Sequence, residues 1–272
     1  MIINRYNLDF IRLLFFFLYF CYMKTELINK VVDLIHKSTS IVAFTGAGIS
    51  AESNIPTFRD DDGIWKKYNP QLLELNTFLS NPIPSWKAIK EIFYTSFSNA
   101  EPNQAHYALA ELERMGKLRA IITQNIDNLH QKAGSKNIIE FHGNSQKLIC
   151  LKCGAIHSVK EINLDEDIPK CNICKGNLKP DFVFFGENIN PKVHNSAIRE
   201  AQICDVMFVI GTSGEVFPAA LIPKNAKFYG AKIIEFNTKP SNYTDSITDL
   251  FIEGKASQTL SKIVNLYKQK YF

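Results

Sequence analysis

RAIITQNIDNLH, residues 119–130, is the segment that most strongly indicates the fold of this chain. An apolar run of the β type, Ala120–Ile122, stops abruptly at Thr123–Asn128, where amides and a carboxylate follow. Ligands bind outside the carboxyl ends of the strands in open α/β sheets. The segment therefore predicts a strand that ends at a ligand-binding cleft.

The sequence on both sides of this segment alternates between helices and strands. Apolar residues with a helical period predict helices at Glu26–Lys37 and His106–Met115, and short apolar runs predict strands at Ile41–Phe44, Leu118–Ile122, Val206–Ile210 and Lys232–Phe236. Such alternation predicts an α/β fold with a parallel, doubly wound sheet.

The stretch between the first two predicted strands has a different character. Ala51–Pro70 reads as loop, and Pro70–Asn99 reads as a helical insert broken by Pro82 and Pro84.

The composition is that of an ordinary globular protein of 272 residues, with 46% hydrophobic and 21% charged residues. This length predicts one large domain with one or two small modules. A net charge of +4 is too small to predict direct nucleic-acid binding. Six cysteines are too few for a disulfide scaffold, so we expect a reducing, cytoplasmic location.

Residues 1–23 are unlike the rest of the chain. Leu13–Met23 reads LLFFFLYFCYM, an apolar run much shorter than the ~20 residues needed to span a bilayer. Two interpretations are open, a membrane anchor and a mis-called start with Met23 as the true first residue. We favour the mis-called start, and we expect no firm membrane partner.

Four cysteines have the spacing of a zinc site. Cys150 and Cys153 form one C-x-x-C pair, and Cys171 and Cys174 form a second pair seventeen residues later. Four thiolates fill a tetrahedral shell and leave no position for water. The pattern predicts one structural Zn²⁺ rather than a catalytic one.

The predicted first strand ends in a glycine loop, Gly46-Ala47-Gly48. Such loops bring backbone N–H groups close to a phosphate. The pattern is not a full G-x-G-x-x-G, so a tight strand-to-helix turn remains an alternative to a dinucleotide site. Phe58 and Arg59 follow closely enough to cover a bound cofactor.

A third group combines the polar strand end with His142, in the segment Glu140–Gly143. A histidine titrates near neutral pH and can act as a general base. A structural surface histidine is the alternative at this point.

Seven features together resemble the sirtuins, the NAD-dependent protein lysine deacylases. They are the four cysteines and the motifs GAGISAESNIPTFR (46–59), TQNIDNLHQKAGS (123–135), EFHGN (140–144), PDFVFFGEN (180–188), GTS (211–213) and FNTK (236–239). The resemblance extends in order from Lys24 to Val264.

The resemblance implies a Rossmann-type large domain and a small lobe. The implied catalytic domain is residues 24–268, with the large domain at about 24–58, 104–145 and 179–268, a helical module at about 59–103 and a zinc-ribbon module at about 146–178. NAD and the acylated lysine would enter the cleft between the lobes.

The resemblance also implies which residues line that cleft. His142 would be the general base on a ribose hydroxyl of NAD, and Asn125 would orient the reacting groups. The cofactor-binding set would be Gly46, Ala47, Gly48, Ala51, Phe58, Arg59, Gln124, Asn125, Ile126, Asp127, Gly211, Thr212, Ser213, Asn237, Thr238 and Ala256. The substrate-binding set would be Val183, Phe184, Phe185, Gly186, Glu215 and Val216.

Partners and products follow from the same resemblance. The substrates would be acetylated or otherwise acylated lysine proteins or peptides, and nicotinamide would be both a product and an inhibitor. Glu215 stands where relatives carry an apolar residue; it either selects basic residues beside the target lysine or is a solvated glutamate.

The acyl group is expected to be neutral. Relatives that remove succinyl groups carry a Tyr-x-x-Arg pair in the helical module, and Lys90 and Phe93 occupy those two positions here. Phenylalanine cannot replace a bidentate arginine. The sequence thus predicts the deacetylase subgroup of bacterial type, with mono-ADP-ribosyltransferase activity and a non-catalytic zinc-ribbon binding module as alternatives.

Overall fold

The computed structural model describes residues 25–58, 63–95, 97 and 99–272. The N-terminal extension, with its apolar run Leu13–Met23, and Arg59 lie outside the described residues. No helix within the described ranges combines the length and the apolar character needed to cross a membrane.

The large domain is built on a six-stranded parallel sheet, which confirms the predicted α/β class. Its strands are β1 (Ile41–Thr45), β2 (Leu118–Thr123), β3 (Ile138–Glu140), β7 (Val206–Ile210), β8 (Lys232–Asn237) and β9 (Leu250–Glu253). Their order is β3-β2-β1-β7-β8-β9, which is the Rossmann order of two βαβαβ halves. β1 and β7 are buried along their whole length because helices cover both faces of the sheet.

The described α-helices belong either to the large domain or to the small lobe. They are α1 (residues 25–37), α2 (Ile64–Lys67), α3 (Leu75–Ser80), α4 (Pro82–Ile89), α5 (Gln104–Arg114), α6 (Leu129–Lys132), α7 (Pro191–Ile203), α8 (Leu221–Phe228) and α9 (Ala256–Tyr271). α1, α5 and α9 share one hydrophobic core with the sheet, and α7 and α8 share a second core on the opposite face.

The segment between β1 and β2 differs from its predicted structure in two ways. Two parts of Ala51–Pro70, expected as loop, are helical: residues 51–53 belong to a 3₁₀ helix at Ala47–Ser53, and Ile64–Lys67 form α2. The helical insert is broken at Pro82 as predicted, since α3 ends at Ser80 and α4 begins at Pro82, but Pro84 lies in the first turn of α4 and breaks nothing. The first turn tolerates proline because its N–H groups have no intrahelical partner.

The small lobe has one core that its two modules share. The antiparallel strands β4 (Gly143–Cys150), β5 (Ile156–Ser158) and β6 (Leu178–Phe182) form a second sheet in the order β5-β4-β6. Side chains of this sheet and of α3 and α4 pack together, and Trp86 Nε1 donates a hydrogen bond of 3.2 Å to the carbonyl oxygen of Leu178. The residue bounds of the two modules stay a prediction.

Two glycine-containing loops meet at the carboxyl ends of β1 and β7. Gly48 N donates a hydrogen bond of 2.9 Å to Gly211 O. A Cβ atom on Gly211 would lie 2.4 Å from Ile49 N, and Gly211 has a φ of +59°. Both the space and the backbone conformation therefore require glycine at this position.

We expect Gly211→Ala to destabilise the protein by about 2 kcal/mol or more, because the added methyl group meets backbone that cannot rotate away. Urea denaturation would measure the free energy of unfolding. Gly116→Ala is the matched control, since Gly116 has a similar φ of +71° but a Cβ atom added there would meet no heavy atom within 4 Å. Equal losses for the two variants would contradict a role for the loop contact.

Candidate active site

A cavity of about 730 Å³ opens at the carboxyl ends of the parallel strands, between the large domain and the small lobe. Every described residue of the three predicted functional sets lines it: Gly46, Ala47, Gly48, Ala51, Phe58, Gln124, Asn125, Ile126, Asp127, His142, Val183, Phe184, Phe185, Gly186, Gly211, Thr212, Ser213, Glu215, Val216, Asn237, Thr238 and Ala256. A cavity of this size suits a cofactor-sized ligand.

A backbone carbonyl group sets the ring orientation of His142. Its Nδ1 lies 3.2 Å from the carbonyl oxygen of Gln124, so Nδ1 carries the proton and donates it. Nε2 is then the proton acceptor. Burial lowers the pKa of His142, and the Gln124 carbonyl opposes this change only in part. The ring is therefore neutral at pH 7 and able to accept a proton.

Asp127 is buried beneath the cavity and held by two donors. Its Oδ2 accepts a hydrogen bond of 2.7 Å from Ser50 Oγ, and its Oδ1 accepts one of 2.9 Å from Leu129 N. Burial raises the pKa of Asp127, while these hydrogen bonds lower it. Two donors fix the carboxyl group in one orientation toward the cavity.

Ser50 and His106 continue the hydrogen bonds of Asp127 into the core, and neither residue was predicted from the sequence. Asn103 N donates to His106 Nδ1 at 3.3 Å, so Nε2 carries the proton and donates to Ser50 Oγ at 3.4 Å. Burial lowers the pKa of His106 to about 4, which keeps the ring neutral. A signal for Ser50 was available in the sequence, since Ser50 lies two residues after Gly48 of the glycine loop.

Amide side chains connect the separate loops that form the cavity wall. Gln124 Nε2 donates to Thr212 Oγ1 at 3.1 Å, and Asn237 Nδ2 donates to Thr212 O at 3.2 Å. Asn125 Nδ2 donates to Gly46 O at 3.1 Å. The loops after β1, β2, β7 and β8 are thus held together without a ligand.

The glycine loop was expected to direct backbone N–H groups at a phosphate, but two of its N–H groups bond to the end of β7 and the loop that follows it. Gly46 N donates to Ile210 O at 3.0 Å, and Gly48 N donates to Gly211 O. These two N–H groups are therefore used within the protein rather than directed at a phosphate. The glycines are needed because Cβ atoms on Gly46 and Gly48 would lie 2.7 Å from the neighbouring loop.

Val183–Gly186, the predicted peptide-binding edge, joins the two lobes. Val183 N donates to His142 O, and Phe185 N donates to Leu73 O, both at 2.9 Å. Leu75 N donates in turn to Phe185 O at 3.0 Å. The edge segment is therefore anchored to the histidine at one end and to the helical module at the other.

The four cysteines form one cluster, and their sulfur atoms lie within 4.8 Å of one another. The Cys150–Cys174 and Cys153–Cys171 sulfur pairs are 3.5 and 3.8 Å apart. Ligands of a tetrahedral zinc at ~2.3 Å would be separated by about 3.8 Å. The cluster therefore fits the predicted Zn²⁺.

One side chain near this cluster was not predicted. His157 Nε2 lies 3.2 Å from Cys171 Sγ. Hydrogen bonds lower the pKa of Cys171 to about 6. The largest effect comes from the backbone N–H of Cys174, and smaller effects come from the backbone N–H of Ile173 and the side chain of His157. These donors favour the thiolate form that a metal binds.

Known proteins resemble this chain over most of its length. The family model described as the Sir2 family matches residues 46–218. The chain is 46% identical over 248 residues to NAD-dependent protein deacylase 2 of Archaeoglobus fulgidus, covering 89% of this chain and 96% of that protein. It is 43% identical over 245 residues to NAD-dependent protein deacylase 2 of Pyrobaculum aerophilum, covering 89% and 96%.

A solved structure extends these similarities to the three-dimensional level. A Sir2 variant with a deacetylated p53 peptide and 3'-O-acetyl-ADP-ribose is 35% identical, with a TM-score of 0.83, covering 88% of this chain and 97% of that chain. The match confirms the family that the motifs indicated, and we conclude that this chain belongs to the Sir2 family, the sirtuins.

Proposed function

We propose that this protein is an NAD-dependent protein lysine deacetylase that transfers the acyl group from lysine to ADP-ribose and releases nicotinamide. One observation carries the proposal: a neutral histidine, a buried aspartate and the anchored edge Val183–Gly186 line the same cavity. The curated relatives named above are NAD-dependent protein deacylases, which agrees with this geometry.

The cavity fits NAD by the chemistry of its donors. Hydroxyl and amide groups of Thr212, Ser213 and Asn237 line the half beside β7 and β8, and Gln124–Asp127 line the half beside β2. We propose that the first set holds the adenosine half and the second the nicotinamide ribose. NAD supplies an activated ribose carbon from which nicotinamide leaves as a neutral group.

His142 acts as the general base in this proposal. Nδ1 is held by the Gln124 carbonyl, so Nε2 can take a proton from a hydroxyl group of the bound ribose. The low pKa keeps the imidazole unprotonated at neutral pH. The base is therefore in its active protonation state before the ligand binds.

Asp127 and Asn125 position the reacting groups. Asp127 is held in one orientation by Ser50 and Leu129, and we propose that it and the backbone of Ile126 hold the nicotinamide carboxamide. Asn125 is fixed by its hydrogen bond to Gly46 O and orients the group beside the reacting carbon. Because these side chains are fixed before binding, little reorganisation is needed.

The acyl group in the proposed reaction is neutral. Phe93 lines the cavity and packs against Phe97 and Phe182, with ring centroids 5.4 and 5.1 Å apart. Lys90 does not line the cavity, and its Nζ donates at 2.5 Å to the carbonyl oxygen of Glu166. The wall that these described aromatic residues form is apolar and offers no cation, which disfavours an acyl carboxylate.

The alternative functions have less support. A non-catalytic zinc-ribbon module would not require the predicted cofactor residues to share one cavity with His142. A mono-ADP-ribosyltransferase would use the same NAD site, but it would not require an edge that binds peptide next to the base. Deacylation uses both features.

We also propose that one Zn²⁺, held by the four cysteines, stabilises the small lobe and takes no part in the reaction. The proposed location is cytoplasmic, because a reducing compartment keeps the four cysteines as thiols that can bind the ion.

We expect His142→Ala to lower the rate of nicotinamide release from NAD and an acetylated peptide by about 100-fold or more, because the general base is lost. Chromatography of nicotinamide would measure the rate. His36→Ala is the control, since His36 stacks on Tyr271 at a ring distance of 3.7 Å, away from the cavity. A wild-type rate for the His142 variant would refute its assignment as the base.

We expect an acetyl-lysine peptide to be a better substrate than the succinyl-lysine peptide of the same sequence, since the aromatic wall around Phe93 offers no cation to pair with a carboxylate. The measure is kcat/KM for the two peptides. Lys90→Ala should leave the ratio of the two values unchanged, because Lys90 points to Glu166. A higher value for the succinyl peptide would contradict the proposal.

We expect about one zinc per chain by atomic emission, and a loss of this zinc together with a lower Tm in Cys171→Ser, because three thiolates hold the ion less tightly than four. Cys204→Ala is the control, since Cys204 is buried away from the cluster. Full zinc content in the Cys171 variant would be evidence against this ligand set.

A further inference from the structure

Lys179 is a buried lysine behind the peptide-binding edge. It lies on β6 with 4% of its surface exposed, and no other lysine in the described part of the chain is buried. Removing an ammonium group from water is costly unless the group is paired and hydrogen-bonded. Its retention inside the small lobe therefore needs an explanation.

The ammonium group of Lys179 has a partner for each of its three protons. It donates to the carbonyl oxygens of Pro180 and Phe182 at 2.9 and 2.8 Å and pairs with Glu187 Oε2 at 2.9 Å. The Phe184 ring lies 4.4 Å from Nζ. Burial lowers the pKa of Lys179, and the Glu187 carboxylate opposes this change.

Glu187 connects Lys179 to the backbone of Phe184. The same Oε2 atom accepts a hydrogen bond of 2.9 Å from Phe184 N. The ion pair therefore brackets the chain from Lys179 to Glu187 and holds backbone groups on both sides of Val183. Glu187 N also donates to Phe184 O at 3.0 Å, so the chain turns between these two residues.

The bracketed segment carries the backbone contact to the general base. Val183 N donates to His142 O, and Phe185 is bonded on both its N–H and C=O sides to Leu73 and Leu75. A change in the curvature of this segment would therefore move the peptide edge relative to His142.

We propose that Lys179 is a positioning residue that, through its ion pair with Glu187, holds the Val183–Gly186 edge in register with His142 for binding of the acylated peptide. This inference rests on the proposed function. An apolar side chain of similar length would fill the space, but it would remove the hydrogen bonds that Lys179 donates to two carbonyl groups and would leave the Glu187 carboxylate with Phe184 N as its remaining donor. The expected consequence is a misplaced edge rather than an unfolded lobe.

The experiment compares Lys179→Met, Lys179→Arg and Glu187→Gln. We expect Lys179→Met to raise KM for an acetylated peptide about tenfold, because small misplacements of a binding edge are costly, while KM for NAD changes less than twofold. Lys179→Arg should recover part of the loss, since a guanidinium can still donate to the carbonyls. Glu187→Gln should also raise KM for the peptide. It replaces Lys179→Met as the test if that variant does not fold.

Lys227→Met is the matched control. Lys227 forms an ion pair of 2.6 Å with Asp249 on the large domain, so its loss should lower Tm without changing KM for the peptide. A lower Tm with an unchanged peptide KM in both Lys179→Met and Glu187→Gln would overturn the proposal.

Peptide binding separates this inference from the proposed function. If the wild-type protein releases no nicotinamide with the acetylated peptide, the proposed function fails. Fluorescence polarisation of a labelled acetyl-lysine peptide then tests the positioning role directly, and equal Kd values for wild type and Lys179→Met would overturn it.

Discussion

The close approach of the loops after β1 and β7 is the constraint on which the cleft depends. The chain leaves these neighbouring strands toward opposite sides of the sheet, which opens a crevice at this point. The hydrogen bond from Gly48 N to Gly211 O and the lack of side chains on both residues let the two loops touch. Larger residues would separate the loops and displace Gln124, Asn125 and Thr212, which bond across this contact.

The polar groups of the cleft are held by one another. Asp127 is fixed through Ser50 and the neutral ring of His106, and His142 is fixed by a backbone carbonyl. Buried polar groups are costly when they lack partners, and a satisfied network is rigid. The protein thus fixes both the proposed base and the proposed nicotinamide site before any ligand binds.

The small lobe connects substrate binding to the same centre. Its helical part and its cysteine cluster share one core, which also includes Phe184 of the proposed peptide edge. The proposed peptide edge is attached to His142 by a backbone hydrogen bond and lies against a buried ion pair. In the proposed reaction, short and direct contacts therefore connect the peptide edge to the general base.

Much of the site could be predicted because its residues follow strand ends in recognisable motifs. Buried strands such as β1 and β7 are continuous apolar runs, and their polar ends mark one edge of a parallel sheet. The short strands β3 and β9 were missed, because three or four residues carry too little periodicity. The break at Pro82 was predicted correctly, whereas Pro84 was misread, because a proline in the first turn of a helix does not break it.

The sequence by itself determined the fold class, the family, the four clustered cysteines and the residues that line the cleft, because each depends on residue type and spacing along the chain. The tertiary structure alone decided how these residues act on one another. It showed that Gly46 and Gly48 serve loop packing, that Ser50 and His106 support Asp127, and that Lys179 is buried against Glu187. These relations depend on distances between segments far apart in the chain, and on burial, neither of which a linear pattern contains.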